Sequence, residues 1–267
     1  MIVQDAKPFV KNILNNKKSI FSQTIEDGVI EEIFRNIGTI NKYFVEFGAW
    51  DGQFLSNTAN LRINEGWKGL LLEGNREKSN KYSHVTYAFV TAENVNDIFE
   101  KNNVPQKFDL LSIDIDGNDY WVWKAIDENR FNARVVIIEY NCNFHDLYKS
   151  CAIKYSPDLN SIISSENYYS ATIPALKKLG ESKGYSLIFR VNLHNLFFVK
   201  TELLHEEDKN IPLEMFLNRN GKAIDHEINP GPVIYGDTAL NYHWNRYADT
   251  EIAIYWKQDF DKEWVEV

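Results

Sequence analysis

The feature that most constrains this chain is an alternation. Five short apolar stretches, KYFVEF (42–47), KGLLLE (68–73), VTYAFV (85–90), FDLLSID (108–114) and RVVIIEYN (134–141), are separated by segments of a different period. Between and around them, residues 24–37 place Val29, Ile30, Ile33, Phe34 and Ile37 on one helical face, ahead of a stop at Gly38. Residues 56–64, opened by Ser56 or Asn57, and residues 75–83, 93–102, 120–126 and 171–185 read as further helices. Near-continuous apolar strands alternating with helices predict a parallel sheet covered on both faces. SLIFRVN (186–192) and NLFFVK (195–200) are close enough to pair antiparallel at the sheet edge. The expected fold class is therefore α/β, a doubly wound, Rossmann-like, mostly parallel seven-stranded sheet with an antiparallel last strand.

Two segments stand outside the repeat. Residues 142–170 are long and rich in Ser, Asn and Tyr, as lids and substrate loops often are. Residues 201–267 are aromatic without periodicity and form a C-terminal extension. That tail has three open roles: packing across the sheet, closing the acceptor site, or forming a homo-oligomer interface. We expect one domain over 1–267, with its core at about 20–200.

Composition narrows the function classes. A formal net charge of −9 argues against a nucleic-acid partner, which needs a basic face to meet phosphates. Two cysteines, Cys142 and Cys151, are too few for a disulfide framework. No run approaches the roughly 20 apolar residues of a membrane span, and MIVQDAKPFVKN lacks a signal-like apolar core. The expected setting is cytoplasmic.

In open α/β sheets, ligands bind beyond the carboxyl ends of the strands. Acids stand there on four strands: Glu46, Glu73, Asp114 with Asp116, and Glu139. After the first comes a loop, E-F-G-A-W-D-G, whose Gly48 and Gly52 let backbone approach a ligand and which also contains Asp51. It is neither a dinucleotide fingerprint nor a phosphate-binding loop ending in G-K-[ST]. Glu73 lies about 20 residues on, a position suited to ribose hydroxyls. Together these features imply an adenosine-containing ligand held without a pyrophosphate grip.

FVEFGAWDGQFLSNTANL (44–61), GWKGLLLEGN (66–75), VTAENVNDIF (90–99), FDLLSIDIDGNDYWVWKAI (108–126) and RVVIIEYN (134–141) resemble the class I S-adenosylmethionine-dependent methyltransferases, in particular the FkbM-like family. The resemblance covers roughly residues 20–200 and says little about the tail. It implies that Glu46, Gly48 and Gly52 line the methionine part of S-adenosylmethionine, with Asp51 also among the cofactor-binding residues. Ser56, Asn57 and Thr58 would offer a helix N-terminus to its carboxylate. Glu73 would hold the ribose hydroxyls, Ala92 and Glu93 would flank the adenine, Asp114 would sit near the sulfonium, and Gly74 and Asn75 would also be cofactor-binding.

Methyl transfer to oxygen needs a base beside the acceptor. Asp116 is the first candidate, with Asp114, His145 and His194 behind it. Asp116 and Asp119 also suit a helix start ahead of YWVWKAI. Asp114, Glu139 and Asn141 converge from adjacent strand ends and offer the oxygen ligands that Mg²⁺ prefers, although Glu-Tyr-Asn replaces the paired acids of that pattern. Trp121 and Trp123 are expected to divide between surface and core. Tyr168 and Tyr169 suit either core packing or a sugar ring. The expected activity is O-methylation of a small polar acceptor, a sugar or sugar nucleotide for capsular or surface polysaccharide. A phosphate- or phosphoramidate-type oxygen, or a non-catalytic cofactor-binding role, are the alternatives.

Overall fold

The computed structural model describes residues 7–142, 148–158, 169–191, 194–216 and 264–267. A seven-stranded sheet forms its centre, in the order β3-β2-β1-β4-β5-β8-β7. The strands are β1 (Tyr43–Phe47), β2 (Lys68–Glu73), β3 (Thr86–Tyr87), β4 (Lys107–Ile113), β5 (Asn132–Glu139), β7 (Tyr185–Arg190) and β8 (Asn195–Lys200). Neighbours from β3 to β5 run parallel. β8 alone is reversed, pairing antiparallel with both β5 and β7. The expected sheet and its one antiparallel strand are both present.

Side-chain alternation explains why the strands read as unbroken apolar runs. Val45 and Phe47, Leu70 and Leu72, Val136 and Ile138, and Leu196 and Phe198 face one apolar layer. Phe44, Leu71, Val135, Ile137, Phe197 and Val199 face the other. On the first face pack α4 (Val95–Lys101), α5 (Asp119–Ala125) and α6 (Ile173–Ser182). On the second lie α1 (Glu26–Ile37) and α2 (Ala59–Asn64). Each large side chain buried this way contributes about 1.5–3 kcal/mol, so both faces select apolar residues. α1 buries Val29, Ile30, Ile33, Phe34 and Ile37 and stops at Gly38, whose φ is +65°. Trp123 is a core residue and Trp121 is half-buried.

Three local expectations shift. The third strand, expected over 85–90, is only Thr86–Tyr87, because Ala88–Val90 leave the ladder after Ala88 N–H bonds Glu73 O at 3.0 Å. The helix expected over 75–83 is one turn, α3 (Arg76–Ser79). The expected loop 142–170 contains a strand, β6 (Cys151–Ile153), which pairs antiparallel with β9 (Trp264–Glu266). A short helix α7 (Glu206–Lys209) follows β8. Among the described residues no helix is long and apolar enough to cross a membrane. His145 and Tyr168 lie outside the described residues.

Candidate active site

The acids expected at the strand ends do gather at the carboxyl rim. Glu46, in β1, is 4% exposed and has three donors: Thr58 Oγ1 at 2.5 Å, Ser56 Oγ at 2.8 Å and Asn57 N at 2.9 Å. Burial pushes its carboxyl above the ordinary range, and the three hydrogen bonds pull part of the way back. Asn57 also donates to Ser112 Oγ in β4 at 3.1 Å, which ties the loop across two strands.

Here the structure corrects an expectation. The backbone N–H groups before α2 are not held open for an anion: that of Asn57 goes to Glu46, and those of Thr58 and Ala59 go to Ser56 Oγ at 3.2 and 3.0 Å. Ser56, Asn57 and Thr58 therefore support Glu46.

Gly48 has a φ of +69°, and a Cβ placed on it would lie 1.7 Å from the Asp114 carbonyl oxygen. The glycine is required for the β1 loop to cross the end of β4. Its neighbour Trp50 also has positive φ, +48°, and donates its N–H to Glu73 Oε2 at 2.8 Å. Asn75 N–H reaches Glu73 Oε1 at 2.7 Å. Glu73, at the end of β2, is thus fixed by backbone on both sides with its carboxylate between the glycine loop and α3. Gly74 packs against Phe89, and Asn75 Oδ1 caps α3 through Glu77 N and Lys78 N. Asp51 turns to its own loop, accepting from Gln53 N and Phe54 N at 2.8 and 2.7 Å. Gly52, with φ +72°, abuts Leu71.

Past β3, the Ala92 N–H donates to Tyr155 Oη at 3.3 Å, and Tyr155 in turn donates to Glu93. That bond holds the exposed Glu93 carboxyl below its usual range.

Beyond β4 the chain turns sharply. Asp119 is fully buried and accepts from Ile115 N and Gly117 N, each at 3.0 Å. It closes the turn that leads into α5, and burial raises its carboxyl to about 7, with Asp116 adding repulsion. At the apex is Asp116, exposed and with a φ of +55°, a conformation Asp tolerates better than most residues. Asp114, Asp116 and Glu139 each present an oxygen within 4.8 Å of the others. Burial and mutual repulsion drive Asp114 and Glu139 well above ordinary carboxyl values. Although Asp116 is exposed at its tip, crowding by neighbouring groups strips part of its hydration and raises it as well, while Lys78 opposes the rise.

Of the expected metal-ligand set, Asp114 and Glu139 meet in this cluster, and Asp116 stands with them. Asn141 is fully buried, and its amide donates to the Tyr169 carbonyl at 2.9 Å. Tyr169 Oη lies 3.4 Å from Cys142 Sγ. His194 is at the entry to β8, where its carbonyl accepts Tyr140 N–H at 3.1 Å.

Sequence reasoning missed Glu26 and Tyr155. Glu26 opens α1, is fully buried, accepts from Thr24 N at 2.7 Å, and adds its charge to those raising Asp114. An acid in the first turn of a helix reads as a dipole partner, which concealed it. Tyr155 follows β6, whose pairing partner β9 lies more than a hundred residues further along the chain.

The rim thus carries Glu26, Glu46, Glu73, Asp114, Asp116 and Glu139. It suits a ligand that brings positive charge and hydroxyl donors.

Residues 48–180 match the family model of the methyltransferase FkbM domain. No curated protein matches the chain. Among solved structures, the chain is similar to the CurJ carbon methyltransferase, at 12% identity and a TM-score of 0.42, covering 72% of this chain and 58% of that one. It is also similar to an O-methyltransferase family protein from Burkholderia thailandensis, at 10% identity and a TM-score of 0.39, covering 72% and 67%. An O-methyltransferase from Bacillus cereus in complex with SAH gives 12% identity and a TM-score of 0.36, covering 74% and 91%.

Proposed function

We propose, from the premise that the chain belongs to the FkbM-like class I S-adenosylmethionine-dependent methyltransferases, that it transfers a methyl group to an oxygen of a small polar acceptor. A sugar or sugar nucleotide destined for surface polysaccharide is the acceptor class we favour. The observation that carries the reading is the fixed carboxylate of Glu73, gripped by Trp50 N and Asn75 N beside the glycine loop. Both of its oxygens keep lone pairs for ribose hydroxyls.

The remaining assignments follow from charge and position. Glu46 and Gly48 line the amino-acid end of the donor, and Glu46 supplies negative charge for its cationic groups. Ala92 and Glu93 meet the adenine edge. Asp114 sits at the sulfonium. Bound S-adenosylmethionine supplies the methyl group, while the protein aligns the acceptor behind it and removes a proton. Asp116 is the base: it is exposed at the apex of its turn, so an acceptor can reach it.

Asp114, Asp116 and Glu139 fit a divalent cation with a preference for oxygen. Three carboxyl groups within 4.8 Å otherwise repel one another, and among the described residues Glu139 Oε2 has no hydrogen-bond partner. Mg²⁺ held there would lower the pKa of an acceptor hydroxyl.

The test combines calorimetry with S-adenosylhomocysteine and a methyl-transfer assay over a panel of sugars, sugar nucleotides and phosphorylated acceptors. Binding of S-adenosylhomocysteine with turnover on a sugar is the expected result. No binding would overturn the donor assignment, and turnover only on phosphate-type oxygens would overturn the acceptor.

A further inference from the structure

Tyr155 makes two hydrogen bonds in opposite senses with adjacent residues. Its hydroxyl accepts from Ala92 N at 3.3 Å and donates to the Glu93 carboxylate. The amino edge of adenine has the same pair of functions side by side, an acceptor at N1 and a donor at N6. We infer that Tyr155 occupies the nucleobase edge of the cofactor site, so that the donor binds only after this side chain is displaced. This rests on the assignment of Ala92 and Glu93 to the adenine given above.

The segment carrying Tyr155 is held from several directions. Asn118 donates its amide to Ser156 O at 2.5 Å, and Trp121 Nε1 donates to Ile153 O at 2.8 Å. The ring of Tyr155 leans on Trp121 with centroids 6.1 Å apart. One step back, β6 pairs with β9, where Val267 N–H reaches Ser150 O at 3.1 Å. Asn118 and Trp121 border the turn that carries Asp116. The same strap therefore joins the adenine end of the site to the acceptor end. Displacement of Tyr155 by the nucleobase would loosen the strap beside Asp116, which couples donor binding to opening for the acceptor.

The affinity of a ligand is reduced by the fraction of protein whose site is competent. Removing the hydroxyl leaves the ring on Trp121 but breaks both competing bonds. Hence Tyr155→Phe should tighten S-adenosylhomocysteine by about fivefold, the scale of one or two exposed hydrogen bonds. Adenosine should tighten likewise. S-ribosylhomocysteine, which has the same sugar and amino-acid parts without the base, should change by less than about twofold.

Calorimetry on the full chain, wild type and Tyr155→Phe, with these three ligands decides the matter. Tightening confined to the two adenine-bearing ligands supports the inference. Unchanged or weakened S-adenosylhomocysteine binding overturns it while leaving the donor assignment intact. An equal change with all three ligands also overturns it, since that reports general loosening of the segment. Failure of both proteins to bind S-adenosylhomocysteine overturns the donor assignment and this inference together.

Discussion

Thr58 Oγ1 lies 2.5 Å from the Glu46 carboxylate, and both residues are buried beneath the loop that leaves β1. The pair accounts for an acid placed inside an apolar strand and for the polar trio that begins 10 residues later. A buried carboxylate needs donors, and the chain supplies three from one short turn. The acid itself remains costly to ionise, because its largest influence is burial.

That cost has a definite pH dependence. The folded-state pKa of Glu46 is raised above the unfolded value, so the native protein holds its proton more tightly. The associated stability is present below the unfolded pKa and is lost as pH rises through the folded one. Glu46→Gln removes this dependence. Its melting temperature should match that of the wild type near pH 4 and exceed it increasingly towards neutrality. Binding of S-adenosylhomocysteine should fall about tenfold, because a charged partner for the ammonium is lost. Thermal melts across pH, paired with titrations, check both. A constant gap at all pH values would show that Glu46 is not the titrating group.

Gly48→Ala tests the close approach of two loops. The residue has φ +69°, and the added methyl would stand 1.7 Å from the Asp114 carbonyl oxygen. Backbone strain and a clash that only main chain can relieve should cost about 3 kcal/mol or more. Denaturant unfolding measures it. A loss below about 1 kcal/mol would mean that the β1 and β4 loops separate easily.

Glu73 organises the glycine loop even without a ligand. In Glu73→Ala, Trp50 N–H and Asn75 N–H both lose their acceptor. Stability should fall by about 2 kcal/mol, and S-adenosylhomocysteine binding by roughly a hundredfold as the ribose contacts go too. Glu73→Gln keeps one acceptor oxygen and should lie between the two. If Glu73→Ala destabilises the protein yet binds normally, Glu73 is a structural brace and the ribose lies elsewhere.

These residues also mark how far the sequence could be read. Period-two alternation in strands such as Val135-Val136-Ile137-Ile138 is masked when both faces are buried, yet the run itself signals a parallel sheet. The rim acids stood out because a carboxylate at the end of an apolar strand has no local reason to be there. Short elements were the failures. β3 holds only Thr86 and Tyr87 in the ladder, and residues 88–90 remain apolar because they pack rather than pair. β6 exists through β9, more than a hundred residues away, and no local window contains that partner. The trio Ser56-Asn57-Thr58 was legible as a helix start, but its donors turn inward because Glu46, 10 residues earlier, is buried within reach. Tyr155 and Glu26 reach the rim only through tertiary packing.

Asp114, Asp116 and Glu139 allow the sharpest test of metal dependence. Burial raises Asp114 and Glu139, with repulsion between acids adding to it, and Lys78 pulls against the rise at Asp116. A bound divalent cation would remove the repulsion and stabilise the fold by mass action. Saturating Mg²⁺ should therefore raise the melting temperature over EDTA-treated protein by about 4–8 °C, the shift given by roughly 2 kcal/mol in a chain of this size. Asp114→Asn should raise the melting temperature in EDTA, since one buried charge is gone, and abolish the response to Mg²⁺. Asp116→Asn should lower kcat by about 10²–10⁴ through loss of the base while S-adenosylhomocysteine binds nearly as before. Identical melting and turnover in EDTA and Mg²⁺ would leave the three carboxyl groups sharing protons instead of a cation. In that case the Asp114→Asn gain in stability should persist, because burial and charge repulsion act on Asp114 with or without a cation.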